Sequence, residues 1–429
     1  MNRFDVCSCD GTGGLESRRN LLTTGLALGL PFLLSKIAFP QSTFRPEIKD
    51  GPVFVSIFLR GGADGLNIVA PYAEDRYHSA RPTLGLKRPG DRVASVSDRA
   101  LDLDGFFGLH PSMAGLHGLF HDGKLAVVHA VGSGDETRSH FEAMGTMERG
   151  LFQSAHGTSN GWLTRYLAQH PDRVAPLRAV ALSQTLPDSL GGSLGAVAVN
   201  ELDDFKLKGA PDNVLAVLEG LHTQADMMSG AGSKTIEVLK NLQRSDPKRY
   251  RPDHGAVYPE SPLGRALRDV AYLVKQDFGL EVACLESLGW DTHVAQGAAT
   301  GWQSGLLRDL SESLSAFFLD LGAESSRVVA TVQTEFGRRL EENSGFGTDH
   351  GHGGMMMVAG GKVQGGRVFG RWPGLSQEQL VGPGDLAVTT DYRCVLAEVL
   401  EDHLGSRTTA DVFPQAARDR LNLFAPASP

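Results

Sequence analysis

The sequence places an aspartate and a histidine two residues apart in the segment Trp290-Asp291-Thr292-His293. On an extended chain, side chains at positions i and i+2 point to the same side, so a carboxylate and an imidazole at this spacing can bind one metal ion. The competing interpretation is a turn in which Asp291 caps the following segment and His293 faces solvent. We predict that Asp291 and His293 are metal ligands.

A second group of potential ligands lies in the segment Asp349-His350-Gly351-His352-Gly353-Gly354. His350 and His352 again have the i, i+2 spacing, and the glycines allow the backbone to approach a ligand closely. A flexible polar loop would have a similar composition. We predict that Asp349, His350 and His352 contact a metal ion or a phosphate group.

Two more carboxylates, Asp64 and Glu335, each follow an apolar run. Glu335 could be a metal ligand, a general base or the ion-pair partner of Arg338. Asp64 lies in a glycine-rich turn, where an aspartate is commonly structural. We include both residues among the candidate metal ligands.

The segment from Asp135 to Phe141 carries two hydroxyl groups directly before a predicted helix. Thr137 or Ser139 could cap that helix. The same position suits a nucleophile, because a helix N-terminus and a nearby metal ion favour an alkoxide. His140 is a candidate ligand or proton donor, or else a solvated residue of the first helical turn. Arg138 could hold an oxyanion through two hydrogen bonds.

These carboxylates and imidazoles define the expected chemistry. Such ligands suit Zn, Mn or a similar divalent ion, and two ions would clamp a phosphoryl or sulfuryl group. We therefore expect one or two divalent ions. A redox role for the metal is less favoured, because the sequence has neither a cysteine-rich nor a facial-triad pattern.

The candidate residues need a scaffold, and the hydrophobic pattern predicts one. Near-continuous apolar runs of strand length alternate with segments whose apolar residues recur every three or four positions. This alternation is typical of an α/β protein with a mostly parallel central sheet covered by helices on both faces. The runs lie at 53–59, 125–131, 281–288, 328–333 and 355–359, and the helical patterns at 112–121, 140–150, 262–277, 303–323 and 392–404.

In such a sheet, ligands bind beyond the carboxyl ends of the strands. Four of the five polar motifs directly follow an apolar run, and only the motif that begins at Asp349 precedes its run. The motifs are therefore expected to share one sheet edge. Residues at about 155–260 mix short apolar runs with Ser-, Gly- and Pro-rich stretches. We predict that they form an inserted cap, with helices near 160–170 and 212–243, that selects the substrate.

The N-terminus and the overall composition constrain the location and the partners. Residues 1–42 are predicted to be a twin-arginine export signal, because Arg18-Arg19 precede an apolar stretch at 21–34. That stretch is shorter than the ~20 residues a membrane span requires. An N-terminal amphipathic helix of the folded domain is the alternative. We expect a domain at 43–429, without a stable membrane span, in the periplasm or outside the cell.

The cysteines downstream of the predicted export signal and the net charge of the chain add two expectations. Cys284 and Cys394 lie in apolar runs, which indicates buried free thiols. The net charge of −9, with no basic stripe, argues against a nucleic-acid partner.

In order and spacing, these motifs resemble the DUF1501 family of exported bacterial proteins, which looks like a branch of the alkaline phosphatase/sulfatase superfamily. The resemblance implies two metal positions beside a Ser or Thr nucleophile. It assigns Asp64 to one metal and Asp291 with His293 to the other. Glu335-Phe336 stands where many superfamily members have an Asp-His pair, and phenylalanine cannot ligate a metal.

The resemblance carries over to the remaining candidates as well. His350 or His352 resembles a late histidine that completes a metal site, and Asp349 could compensate for the ligand lost at Phe336. Thr137 and Ser139 both lie near the nucleophile position.

The resemblance implies an exported metal-dependent hydrolase of phosphate or sulfate esters, acting on a small-molecule or polymer substrate. A metal-activated hydroxyl or water would attack the ester. The alternative is a catalytically reduced member of the superfamily that serves as a binding or assembly protein at the cell envelope.

Overall fold

The structure, a computed structural model, is built on a central nine-stranded sheet. It describes residues 51–151, 160–202 without 174 and 176, 247–416 and 419–425, together with 236 and 240 alone. All of these residues belong to a single compact unit. The predicted export signal at 1–42 lies outside the described residues, as does the helix predicted at 212–243 apart from two isolated positions.

The described strands and helices follow the hydrophobic pattern of the chain. The strands are β1 (Val53–Leu59), β2 (Val69–Ala70), β3 (Leu101–Asp102), β4 (Gly108–Leu109), β5 (Leu125–Gly132), β6 (Ala179–Ala181), β7 (Ala196–Ala198), β8 (Val282–Ser287), β9 (Val328–Thr334), β10 (Arg338–Glu342), β11 (Thr348–His350), β12 (Gly354–Gly360), β13 (Arg367–Phe369) and β14 (Thr390–Asp391). The helices are α1 (Gly65–Ile68), α2 (Asp75–Ala80), α3 (Ala114–His121), α4 (His140–Arg149), α5 (Trp162–Ala168), α6 (Pro262–Lys275), α7 (Trp302–Leu321) and α8 (Tyr392–Glu398), which continues as a π-helical turn at Val399–His403.

The central sheet has the strand order β13-β5-β12-β9-β1-β8-β6-β7, with β14 also paired to β5. Strand β1 pairs in parallel with β8 and β9, so that Ile57 lies between Leu285 and Val332. Strand β12 runs antiparallel to both of its neighbours, β5 and β9. The α/β class and the mostly parallel sheet are therefore confirmed.

Both faces of the sheet are buried, which explains why its long strands are mostly apolar on both sides. Val55 and Ile57 of β1 belong to a core shared with α6 and α7. Phe54 and Phe58 of the same strand belong to a second core, shared with α5 and α8. Because alternate residues of a strand point to opposite faces, a strand covered on both sides needs apolar side chains at every position. The predicted coverage by helices on both faces is confirmed.

The described part of the predicted insertion includes a helix that packs on the central sheet and two strands that join it. Helix α5 confirms the helix expected near 160–170. Strands β6 and β7, which lie inside the expected insertion, extend the sheet beyond β8. Each of them is only three residues long, with the sequence Ala-Val-Ala. So short a run carries no periodicity, so the sequence pattern does not reveal these strands.

Both described cysteines are free and buried, as predicted. Burial raises the pKa of the Cys284 thiol to about 12. Among the described residues, no helix combines the length and the apolar character needed to cross a bilayer.

Candidate metal centre

The topology of the sheet brings the polar motifs to one edge. Strands β1, β8 and β9 are parallel, so the segments that follow them leave the sheet on the same side. Strand β12 is antiparallel to β9, and its first residue therefore lies where β9 ends. For this reason the motif at 349–354 reaches the same edge, although it precedes its strand.

Three histidines converge there on the carboxylate of Asp291. The Nε2 atoms of His293 and His350 each lie 3.1 Å from Asp291 Oδ1, and they are 2.9 Å from each other. His140 Nε2 lies 3.4 Å from the other oxygen, Oδ2. Potential ligand atoms of His140, Asp291 and His350 all lie within 4.8 Å of one another. We call His140, Asp291, His293 and His350 the His–Asp cluster.

Each histidine of the cluster has a partner at its other ring nitrogen. His140 Nδ1 lies 2.7 Å from Glu335 Oε1, and His350 Nδ1 lies 2.9 Å from the carbonyl oxygen of Arg138. His293 Nδ1 is 3.5 Å from Asp349 Oδ1. Metal-binding histidines commonly donate this second nitrogen to a carboxylate or a carbonyl, which fixes the ring and its tautomer.

The contacts of His350 fix its ring. A carbonyl oxygen can only accept a hydrogen bond, so His350 Nδ1 carries a proton. Its Nε2 atom lies within hydrogen-bond distance of both His293 Nε2 and Asp291 Oδ1. Burial lowers the pKa of His350, against the opposing effect of the hydrogen bond with Asp291. In the neutral ring, Nε2 has a lone pair that can bind a cation.

The spacing of the donors suits one divalent ion. Two bonds of about 2.0–2.1 Å, the usual length for zinc and imidazole nitrogen, enclose roughly 90° when the nitrogens are 2.9 Å apart. Small rotations of the side chains would open this angle toward a tetrahedral one. In addition, His140 Nε2 is buried and has no hydrogen-bond partner. The cluster therefore offers up to three imidazoles and one carboxylate to one ion.

Glu335 lies behind His140. Its Oε1 accepts hydrogen bonds from His140 and from the backbone N–H of Gly61 at 2.9 Å, and its Oε2 accepts one from Thr334 Oγ1 at 3.0 Å. Burial acts to raise the pKa of Glu335, but the hydrogen bonds, led by that from His140, outweigh it and hold the pKa below its ordinary value. The hydrogen bond that His140 donates to Glu335 in turn raises the pKa of His140, against the effect of burial.

Arg338 pairs with Asp291 rather than with Glu335. Its buried guanidinium donates to Asp291 Oδ1 at 2.6 Å, and to the carbonyl oxygens of Gly62 at 2.5 Å and Thr348 at 2.7 Å. Burial acts to raise the pKa of Asp291, yet hydrogen bonds from Arg338 and His350 lower it to about 2. Arg338 thus ties three loops of the site together and holds the Asp291 carboxylate in place.

Asp349 supports the cluster from behind His293. Its Oδ1 accepts a hydrogen bond from Asn343 Nδ2 at 2.9 Å, and Arg339 Nη1 lies 3.6 Å from Oδ2. The hydrogen bond from Asn343 is the main cause that lowers the pKa of Asp349. Asp349 therefore contacts His293 of the cluster, and it does not approach Asp291 or His350 among the contacts of the described residues.

Asp64 is not brought to the His–Asp cluster. Its two oxygens bind Arg81 at 2.6 and 3.0 Å, and Oδ2 also accepts a hydrogen bond from Gln296 at 2.7 Å. Asp64 and Arg81 are both fully buried. The carboxylate is therefore engaged in holding the fold. Neither Arg81 nor Gln296 belongs to a polar motif, so the sequence gives little sign of this network.

The two hydroxyl groups before α4 have different surroundings. Thr137 Oγ1 donates to Glu142 at 2.6 Å and accepts from the Ser139 backbone N–H at 3.2 Å. Ser139 occupies the N-cap position of α4, but its side chain makes no capping hydrogen bond. Neither hydroxyl therefore forms the predicted side-chain cap. The Arg138 side chain pairs with the buried Asp385, and its carbonyl group holds His350.

His352 is half-buried near Asp385, and it is not part of the His–Asp cluster. Burial lowers its pKa, against the opposing effect of the charge of Asp385. Of the two late histidines, the structure thus places His350 in the cluster.

Phe336 forms one wall of the cluster. Its ring centre lies 5.0 Å from that of His140 and 4.9 Å from that of His350. The backbone of Gly62, at φ +62°, passes so close that a Cβ atom there would lie 2.4 Å from the Phe336 ring. Phe336 cannot ligate a metal, but it restricts how the two imidazoles can turn.

A family model described as "Protein of unknown function (DUF1501)" matches residues 53–406. The match includes the whole His–Asp cluster and covers well over half of the 429 residues. No curated protein matches the chain. The chain therefore belongs to the DUF1501 family.

Proposed function

We propose that this protein is an exported hydrolase that holds one divalent ion, Zn or Mn, in the His–Asp cluster and cleaves phosphate or sulfate esters. The supporting observation is the convergence of the Nε2 atoms of His140, His293 and His350 on Asp291, each with its Nδ1 atom held by another group. The family resemblance suggests the ester class, and the paired arginines near the N-terminus suggest export.

One ion is favoured over two. Of the carboxylates that the resemblance assigns to metal, Asp64 is saturated by Arg81 and Gln296. Glu335 is saturated by His140, Gly61 and Thr334. Within the described part of the chain, one group of three or more potential ligands is close enough to hold an ion.

The surroundings of the cluster suit an anionic substrate. Arg138 and Arg339 both have partly exposed side chains, at 39% and 34%. Both are near the buried Asp385, which pairs with Arg138 and lies 3.9 Å from Arg339 Nε. The Arg138 carbonyl oxygen also contacts His350 of the cluster. The Arg339 side chain lies 3.6 Å from Asp349, which in turn lies beside His293. Guanidinium groups held in this way can bind the free oxygens of a phosphate or sulfate group.

A bound divalent ion lowers the pKa of a coordinated water and neutralises charge on the transferred group. The protein residues would position that chemistry. Glu335 and Asp349 orient His140 and His293, Arg338 fixes Asp291, and Phe336 shields one side of the imidazoles. Because Thr137 Oγ1 is engaged with Glu142, attack by water is favoured over attack by Thr137.

The second candidate is a catalytically reduced envelope binding or assembly protein. One observation favours it: Arg338 already binds Asp291 Oδ1, so a cation must share that oxygen with a guanidinium or use Oδ2. Competition from Arg338 would weaken the affinity of the site for metal. Without a bound metal the protein would not turn over esters, and its role would be to bind a partner.

The two candidates differ in metal content and turnover. We would purify the full chain without a polyhistidine tag, dialyse it against Zn²⁺ or Mn²⁺, and measure bound metal by plasma mass spectrometry. Hydrolysis of p-nitrophenyl phosphate and p-nitrophenyl sulfate would be assayed on the same samples. The hydrolase predicts one ion at the His–Asp cluster and metal-dependent turnover of one of these esters.

The control is His254→Asn, because His254 is exposed and lies outside the cluster. It should keep both metal and turnover, whereas His350→Gln should bind one ion fewer than the wild type and lose turnover. An ion that depends on His350, with no turnover of either ester, would contradict the ester hydrolase and support the binding protein. Equal metal content in the wild type and His350→Gln would contradict the proposed metal centre itself.

A further inference from the structure

A second pair of histidines lies outside the His–Asp cluster, on the surface of α3. His117 and His121 are four residues apart, so they share one face of the helix. Their Nε2 atoms are 3.0 Å apart, whereas their ring centres are 4.3 Å apart. The nitrogen-bearing edges of the two rings therefore converge.

A third donor completes the group. The backbone carbonyl oxygen of Asp102, in β3, lies 2.7 Å from His117 Nε2. The Asp102 side chain is turned elsewhere, since its Oδ1 accepts hydrogen bonds from Tyr72 and from the Gly105 backbone. The carbonyl group is thus the Asp102 group that faces the helix.

We propose that His117, His121 and the Asp102 carbonyl form a second, peripheral site for a late first-row divalent ion that clamps the end of α3 to β3. Imidazole nitrogens are good ligands for Cu²⁺, Ni²⁺ and Zn²⁺. This inference is independent of the proposed hydrolase activity.

The geometry suits Cu²⁺ and Ni²⁺ as it stands. Bonds of about 2.0–2.1 Å to nitrogens 3.0 Å apart enclose roughly 95° at the ion. This angle matches neighbouring positions in square-planar or octahedral coordination. A tetrahedral ion such as Zn²⁺ would need nitrogens about 3.3 Å apart at the same bond length, which requires the side chains to rotate slightly, as at the His–Asp cluster. The position also suits a cation because His121 is the last residue of α3, and the C-terminal end of a helix dipole is negative.

The contacts around His117 support a cation rather than a simple hydrogen-bonded pair. His117 Nε2 is close to both a carbonyl oxygen and another imidazole nitrogen. Without an ion, a single N–H would have to serve both of them. With an ion, both Nε2 atoms and the carbonyl oxygen would donate lone pairs to one acceptor, and the ring protons would lie on Nδ1.

The test counts metal ions on the untagged full chain. Ni²⁺ and Cu²⁺ binding would be measured by equilibrium dialysis for the wild type, His121→Gln and the control His254→Asn. We expect His121→Gln to bind one ion fewer than the wild type at micromolar metal, with affinity at that site reduced roughly tenfold or more. His254→Asn should bind as the wild type does.

The double variant His121→Gln/His350→Gln separates the two sites. If both exist, each single variant loses one ion and the double variant loses two. A thermal unfolding scan adds a second readout, because an ion that binds only the folded chain raises its Tm. Equal stoichiometry and an equal Ni²⁺-induced rise in Tm for the wild type and His121→Gln would overturn the peripheral site, whatever happens at His350.

Discussion

The Nε2 atoms of His293 and His350 lie 2.9 Å apart, and each lies 3.1 Å from the same oxygen of Asp291. His293 follows β8, whereas His350 ends β11, 57 residues further along the chain. The antiparallel course of β12 brings the two loops together. The contact between His293 and His350 therefore depends on the residues that position these two loops.

The two late histidines are expected to differ. His350→Gln removes a ligand from the His–Asp cluster, so the variant should lose the bound ion and all turnover. His352→Gln changes a residue beside Asp385, so it should retain the ion, with turnover reduced by a factor of a few at most. Metal analysis of both variants after identical dialysis checks this. Loss of the ion only in His352→Gln would mean that the histidines have the opposite roles.

Glu335 is expected to act through His140. Glu335→Gln keeps the size of the side chain but removes the charge that orients His140, and metal affinity should fall by roughly 10–100-fold, as is common for such partners. Competition with a chelator measures the change. Unaltered metal affinity would show that His140 is held by other contacts or is not a ligand.

The contact between Glu335 and His140 predicts that the stability of the metal-free protein depends on pH. The pKa of His140 is raised above 6.5, and that of Glu335 is lowered below 4.5. The stability contributed by a raised histidine pKa is fully present below its unfolded value of 6.5 and is lost as the pH rises through the folded value. The stability contributed by a lowered carboxyl pKa is present above its unfolded value of 4.5 and is lost as the pH falls through the folded value.

The pair should therefore contribute most between pH 4.5 and 6.5. Urea unfolding of the wild type and Glu335→Gln across this range should show a difference that shrinks at higher pH. A constant difference from pH 5 to 8 would contradict the coupling.

Asp64 and Arg81 are expected to matter for folding. Arg81→Met leaves the Asp64 carboxylate buried without its main partner and should lower the free energy of unfolding by about 3–5 kcal/mol. Metal bound per folded chain should be unchanged. If Asp64→Asn removed the ion without lowering stability, Asp64 would instead be the ligand that the family resemblance implies.

Gly62 should not tolerate a side chain. Gly62→Ala places a Cβ atom against the Phe336 ring at φ +62°, and it should cost about 2–4 kcal/mol of stability from backbone strain and overpacking. Gly118 in α3 is the matched control, because a Cβ there meets no atom within 4 Å. Gly118→Ala should stabilise the protein by about 0.5–1 kcal/mol through helix propensity. Equal effects of the two variants would contradict the close packing at Phe336.

A substitution at Thr137 distinguishes attack by a metal-bound water from attack by the Thr137 hydroxyl. Thr137→Ala removes the hydroxyl that bonds Glu142 and the Ser139 backbone, and it should cost about 1 kcal/mol of stability, as the loss of a hydrogen bond does. Turnover should persist if a metal-bound water attacks the ester. Complete loss of turnover with the ion still bound would identify Thr137 as the nucleophile, and the same assay on Ser139→Ala tests the other hydroxyl.

Much of the fold is readable from the sequence because the long strands of the central sheet are buried along almost their whole length. The five apolar runs correspond to β1, β5, β8, β9 and β12 within one or two residues at each end. The three-residue strands β6 and β7 could not be found in this way. The direction of β12 was not readable either, since strand direction leaves no mark on hydrophobicity.

The site was predictable in its residue types but not in the roles of those residues. The spacing of Asp291 and His293 indicated that their side chains could bind the same metal ion, and the two side chains are in contact. Glu335, Asp349 and Asp64 have the same side-chain chemistry as a ligand, yet their partners are His140, His293 and Arg81. These partners come from distant parts of the chain, so only the tertiary structure separates a candidate ligand from a residue that orients one.

The most direct test of the metal centre is anomalous X-ray diffraction at the zinc and manganese edges from crystals grown with each ion. The account predicts one strong peak at the His–Asp cluster, about 2.0–2.2 Å from the Nε2 atom of His350 and from an oxygen of Asp291. A peak beside Asp64, or no peak at the His–Asp cluster with either ion, would contradict it.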